Sequence, residues 1–135
     1  MQPSSGLDVS SVGNGKGEFM STREIERRSW DEYLASLSAM YVNHPVTMIL
    51  ESEALGSQVV AEHVPLVAIA PDPKGSEKGS VGVELGSATD TLRQEIPDVK
   101  RLMVRENEDG RPQAIDIEGE DPDSHARLKV IVTWD

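Results

Sequence analysis

The chain changes its hydrophobic rhythm near Pro45. Before it, in "SWDEYLASLSAMY", Trp30, Tyr33, Leu34, Leu37 and Tyr41 recur at helical spacing. That stripe predicts one amphipathic helix of roughly three turns. Ser29 and Glu32 have the spacing of a capping box, and Asp31 and Glu32 suit the positive end of the helix dipole. Asn43 and Pro45 end the pattern. After Pro45 the period becomes two. Val46, Met48 and Leu50 alternate with Thr47 and Glu51, with Ile49 as an exception. Short alternating runs follow around Val81–Leu85, Leu92–Ile96, Leu102–Val104, Ile115–Ile117 and Leu128–Trp134. Such runs predict strands with one wet face.

The stretch "VAEHVPLVAIAPD" (60–72) does not alternate. A strand that is apolar throughout is expected to be covered on both faces. Pro65 cannot donate to a ladder, so it predicts a bend, bulge or edge at that point. On this reading His63 sits at the edge of the core and shares a face with Ala61 and Val67. "DPKGSEKG" (72–79), "ENEDGR" with its Asp109-Gly110 pair, and "GEDPDS" have turn composition. Strands joined this closely pair antiparallel. The expected fold is mainly β (α+β): one N-terminal amphipathic helix, then six or seven short, mostly antiparallel strands. These would curl into a small SH3-like or Sm-like barrel or roll. Residues 1–19 are Gly, Ser and polar without a period, which predicts a disordered tail before a single domain spanning 20–135.

Composition narrows the chemistry. The 135 residues contain no cysteine, so no disulfide, thiolate metal site or cysteine nucleophile is available. The formal net charge of -11 disfavours phosphate backbones and anionic membranes unless a local basic patch overrides it. No run reaches the ~20 apolar residues of a spanning helix, and no secretory leader pattern is present. A cytoplasmic protein is the default expectation.

No motif carries a specific activity. "GNGKG" (13–17) lacks the first glycine and the terminal Ser or Thr of a phosphate loop. "RENEDGRPQAID" would put Arg105 where a calcium loop needs a carboxylate, so a hairpin turn is the better reading. The acids Glu118, Glu120, Asp121 and Asp123 read as solvated loop charge. His44, His63 and His125 have no metal-ligand spacing. Glu51 and Glu53 are expected on one strand face without a recognisable cleft. These absences favour a non-enzymatic binding or protein-interaction module that binds a protein partner or a second copy. No catalytic residue, cofactor or metal is assigned. One alternative is a small-ligand binder or enzyme using His63 with Glu62 or Glu51. Another is a nucleic-acid-binding barrel using Arg93, Lys100, Arg101 and Arg105. That reading lacks stacking aromatics beside the cations.

Four stretches carry a resemblance: "STREIERRSWDEYLASLS", "VTMILESEALGSQVVAEHVPLVAIAPDPKG", "VGVELG" and "AIDIEGED". From about residue 21 to the C-terminus the chain resembles a bacterial family of short proteins carried as a domain of unknown function. Its specificity comes mainly from the Arg-Glu-Ile start, the Trp-led helix and the order L-G-x-Q-V-x-A-x-x-x-P-L, from Leu55 to Leu66. The resemblance implies a small uncharacterised domain and transfers no site residue.

Overall fold

The structure, a computed structural model, describes residues 21–72, 79–87 and 89–134. The expected tail and the glycine-rich "GNGKG" lie outside these residues, as does most of the loop after Pro71. Eight strands form one open, antiparallel sheet in the order β1-β6-β7-β8-β2-β3-β4-β5. They are β1 (Ser21–Ile25), β2 (Pro45–Ser52), β3 (Gly56–Pro71), β4 (Val81–Ser87), β5 (Asp90–Ile96), β6 (Arg101–Glu106), β7 (Pro112–Glu120) and β8 (Arg127–Trp134). A turn of 3-10 helix (Arg27–Ser29) leads into α1 (Trp30–Tyr41), the one α-helix among the described residues.

Three expectations need correction. The sheet does not close into a barrel, because β1 and β5 remain edges. The helix is not the first element, because β1 precedes it. Nor is its apolar character confined to one stripe. Trp30, Leu34 and Leu37 are buried, Tyr33 and Tyr41 are half-buried, and Met40 is 62% exposed. The expected capping box does not form, since Ser29 makes no side-chain cap bond and already has helical φ and ψ at the end of the 3-10 turn.

The long strand β3 links the two halves of the sheet. Its first part pairs with β2 and its last part with β4. Between Val46↔Val64 and Met48↔Ala61, β3 spends one more residue than β2. It does so again before Ile49↔Val59, and a third time between Leu66↔Leu85 and Ala68↔Glu84. These bulges explain why alternation fails in this stretch. Each extra residue resets the inward face, so Leu66 and Ile69 are both fully buried although three residues apart. Val59 and Val67 stay exposed, so the strand is not covered on both faces. The bend centres on His63, whose φ is 53°, and not on Pro65, which still pairs with Pro45. His63 is exposed, and the bulges on either side of it break the face expected with Ala61 and Val67.

Beyond Pro65, β3 leaves β2, and its free edge is taken up by the helix and the loop that follows. Ser38 Oγ donates to the Ile69 carbonyl at 3.0 Å and accepts from the Ile69 N–H at 2.9 Å. Leu66 N–H donates to His44 O, and Asn43 N–H donates to Leu66 O. The backbone polar groups of a buried edge are thereby satisfied without another strand. One continuous core results. It joins Trp30, Leu34 and Leu37 of α1 to Leu102, Val104, Ile115, Ile117, Val130 and Val132 on one half-sheet. Val81, Val83 and Leu85 complete it from the other half. Trp30 Nε1 donates to Ile25 O and Trp134 Nε1 donates to Pro112 O, so the buried indole of Trp30 and the half-buried one of Trp134 both have the N–H satisfied. Gly119 is required where the β5–β6 connection crosses β7, because a Cβ there would collide with the Pro97 carbonyl.

Candidate functional site

The inner face of β6, β7, β8 and β2 holds the core. Among the described residues, no element lies across their outer face. Residues paired across strands share a face, so the register sorts the outer side chains into three rows. The first row runs Arg101, Glu118, Lys129, Glu51, one residue from each of four adjacent strands. Its charges alternate plus, minus, plus, minus. Arg101 and Glu118 approach to 2.9 Å, and Lys129 and Glu51 to 3.9 Å. The second row runs Met103, Asp116, Ile131, Ile49 and continues to Val59 on β3. The third runs Arg105, Ala114, Thr133, Thr47.

The middle row is the unusual one. Ile131 is only 9% exposed and Asp116 only 6%, yet both are on the side away from the core. Val59, at the end of the same row, is 58% exposed, and Leu55 at the adjoining hairpin tip is 71% exposed. Asp116 Oδ2 accepts from Arg105 Nη2 at 3.0 Å. Its other oxygen, Oδ1, is buried without a hydrogen-bond partner among the described residues. A buried acceptor without a donor costs free energy, so such atoms are uncommon in native folds. The face thus combines an apolar row, a charge-balanced border and an acceptor that lacks a donor.

A shallow, charged groove opens beside the first row, between Glu51, Arg101, Glu118, Arg127 and Lys129. A second hollow lies where β1 meets α1, between Arg23, Glu24, Glu32 and Tyr33. There Arg23 donates to Glu106 at 2.9 Å, which raises the guanidinium pKa further, and its Cζ is 5.8 Å from the Tyr33 ring centroid. Burial pushes the Tyr33 phenol up, and its hydroxyl has no partner among the described residues.

The sequence-based candidates do not converge. His63 is at the Pro45 end of the β2–β3 pair, whereas Glu51 is at the other end, opposite Ser57. The adjacent Glu62 is exposed on the same bulge. Glu53 is not on a strand face with Glu51. It lies in the turn after β2, where its Oε1 accepts the Arg127 N–H at 2.8 Å. Among the described residues, no three His, Asp or Glu side chains are grouped to hold a metal. Asp121 Oδ1 instead accepts the backbone N–H groups of Asp123 and Ser124, and the bonds from Ser124 and Asp123 hold its carboxyl below the usual range. The calcium-loop lookalike is a hairpin. Asn107 Oδ1 accepts from Asp109 N–H and Arg111 N–H, and Gly110 adopts φ 80°.

The proposed basic cluster is also divided. Arg93 is on β5, at the far edge of the sheet from β6, which carries Arg101 and Arg105. Each cation has an acidic neighbour: Arg93 with Glu95 at 3.2 Å, Lys100 with Asp98 at 3.2 Å, Arg101 with Glu118, and Arg105 with Asp116. Burial, followed by the neighbouring Asp72, raises the Glu95 carboxyl. Sequence reading missed Asp116, because it occupies an ordinary outward position between Ile115 and Ile117. Only the folded structure reveals its burial.

The architecture is therefore a mainly β domain built on an open, folded-over sheet with one helix. Comparison with known proteins gives it a family. A model for a family of unknown function, DUF5335, matches residues 21–129, and the chain belongs to that family. No curated protein matches the chain. Among solved structures, the Bacillus subtilis YojF protein is similar in fold, with a TM-score of 0.50 at 18% identity. The likeness covers 85% of this chain and 95% of that one. No helix among the described residues is long and apolar enough to cross a membrane.

Proposed function

We propose that this domain is a non-catalytic protein-interaction module whose binding surface is the outer face of β6, β7, β8 and β2. The observation that carries the reading is the middle row. Met103, Ile131, Ile49 and Val59 form an apolar strip across the sheet, interrupted by an Asp116 whose Oδ1 lacks a donor. An apolar centre inside a polar border is the usual layout of a protein interface.

Site-specific photo-crosslinking in the producing cells tests this. A photoreactive side chain at Val59 is expected to give several-fold more protein adduct than one at Ala35, on the exposed side of α1. Equal or lower yield at Val59 removes the reading.

A further inference from the structure

We infer that the occupant of this face is a second copy of the same chain, packed across a two-fold axis that runs along the strands between β7 and β8. The inference rests on the interaction reading above and names its partner. Rotation about that axis reverses the order of the first row. Arg101 then meets the second copy's Glu51, and Glu118 meets its Lys129. The alternating row is therefore complementary to itself, and each of its four charges meets an opposite charge. In a sheet-on-sheet packing the same rotation places Met103 over Ile49 in the middle row. Asp116 lies over Ile131, and Arg105 and Ala114 meet Thr47 and Thr133, so no like charges are opposed in the second and third rows.

Charge balance supports a second copy over an unlike partner. The chain as a whole carries a formal charge of -11, so two copies repel through most of their surface. On the four central strands the three rows hold three cations (Arg101, Arg105, Lys129) and three carboxylates (Glu51, Asp116, Glu118), and β1 adds only Glu24, opposite Met103. A like chain can approach here with far less of the penalty it meets elsewhere. The size is adequate too. Six strands from β1 to the first part of β3, about 4.8 Å apart and about seven residues long, span roughly 29 by 23 Å. That is close to the ~800 Å² per partner of a standard interface once side-chain relief is added.

Sedimentation velocity on the full chain over a concentration series, with a charge-swap pair, tests the inference. The wild-type chain is expected to sediment as a dimer. Glu51→Arg and Arg101→Glu each place two like-charge contacts in the symmetric dimer. Each should weaken it by about tenfold or more while leaving the circular dichroism spectrum unchanged. Mixed together, the two variants should restore a heterodimer, because one chain presents two cations where the other presents two carboxylates. A wild-type monomer at the highest concentration overturns the inference. So does a wild-type dimer that both variants retain, or a mixture of folded variants that stays monomeric. Should either variant lose its spectrum, crosslinked wild-type adducts at Val59 decide the matter by mass. Adducts of twice the chain's own mass support the inference. Adducts to a different protein overturn it and leave the interaction reading standing.

Discussion

The two faces of β7 and β8 each hold residues shielded from water, in different settings. Inward, Ile115, Ile117, Val130 and Val132 are fully buried in a closed aliphatic core. Outward, Ala114, Asp116 and Ile131 are less than a tenth exposed, yet they lie outside that core. The inner residues are enclosed by other elements of the fold. Among the described residues, no element lies across the outer ones. Burial alone therefore does not locate a core. The composition of the shielded row does, and here it is mixed, with an acid between two apolar side chains.

The sharpest way to separate the faces is truncation. Ile117→Ala opens an enclosed void and should cost about 2–5 kcal/mol in urea denaturation. Ile131→Ala, at almost the same exposure, leaves a dent that solvent can fill. Its cost should stay below about 2 kcal/mol, the transfer term alone. Equal losses would mean that the outer row is a second core and not a waiting surface.

The next effect concerns the buried acid. Arg105→Ala takes the cation away from the Asp116 carboxylate, which is 8% exposed with Arg105 in place. Removing one partner of a fully buried pair costs about 3–5 kcal/mol, but the Arg105 side chain is 40% exposed, so about 1–2 kcal/mol is expected here. Asp116→Leu should be close to neutral for stability, since it removes the unsatisfied acceptor together with the charge. A large loss in Asp116→Leu would show that Oδ1 is satisfied in solution.

A smaller effect of opposite sign is expected at the bend. His63 holds φ 53° in a strand, a conformation that costs a non-glycine residue about 1 kcal/mol or more. His63→Gly should therefore raise the thermal midpoint, and His63→Ala should not. A drop with glycine would mean that the imidazole's own contacts outweigh the strain.

The smallest is a pH effect at Asp121. The backbone N–H groups of Ser124 and Asp123 lower its folded pKa. Its contribution is therefore present above the unfolded carboxylate value, about 3.9, and is lost as pH falls through the lower folded value. An NMR titration should place the Asp121 carboxyl below that value, and Asp121→Asn should flatten this part of the acid limb. A normal titration would contradict the turn geometry.

What could be read from the sequence depended on how local the cause was. β6, β7 and β8 were legible because Leu102 and Val104, Ile115 and Ile117, and Val130 and Val132 alternate with polar partners. β1 was not, because Ile25 is its single buried residue and an edge strand with four exposed positions has no period. The bend in β3 was legible as a break in alternation. Pro65 marks the end of the β2 pairing, whereas nothing local marks His63 as the left-handed residue inside the bulge. Strand order was beyond reach. No local pattern puts β1 beside β6 or sends Arg93 to the opposite edge, and so the charge row on four strands was invisible until the register was known.

The central claim, that the outer face is the bound one, is tested most directly by carbene footprinting of the chain inside the producing cells against the purified chain diluted below its association range. Labelling at Met103, Ile49 and Val59 should fall inside the cells, while labelling at Met40 and Val42, exposed apolar residues at the end of α1 and just beyond it, should not change. Unchanged labelling at the first three, or equal protection of both groups, would contradict the account.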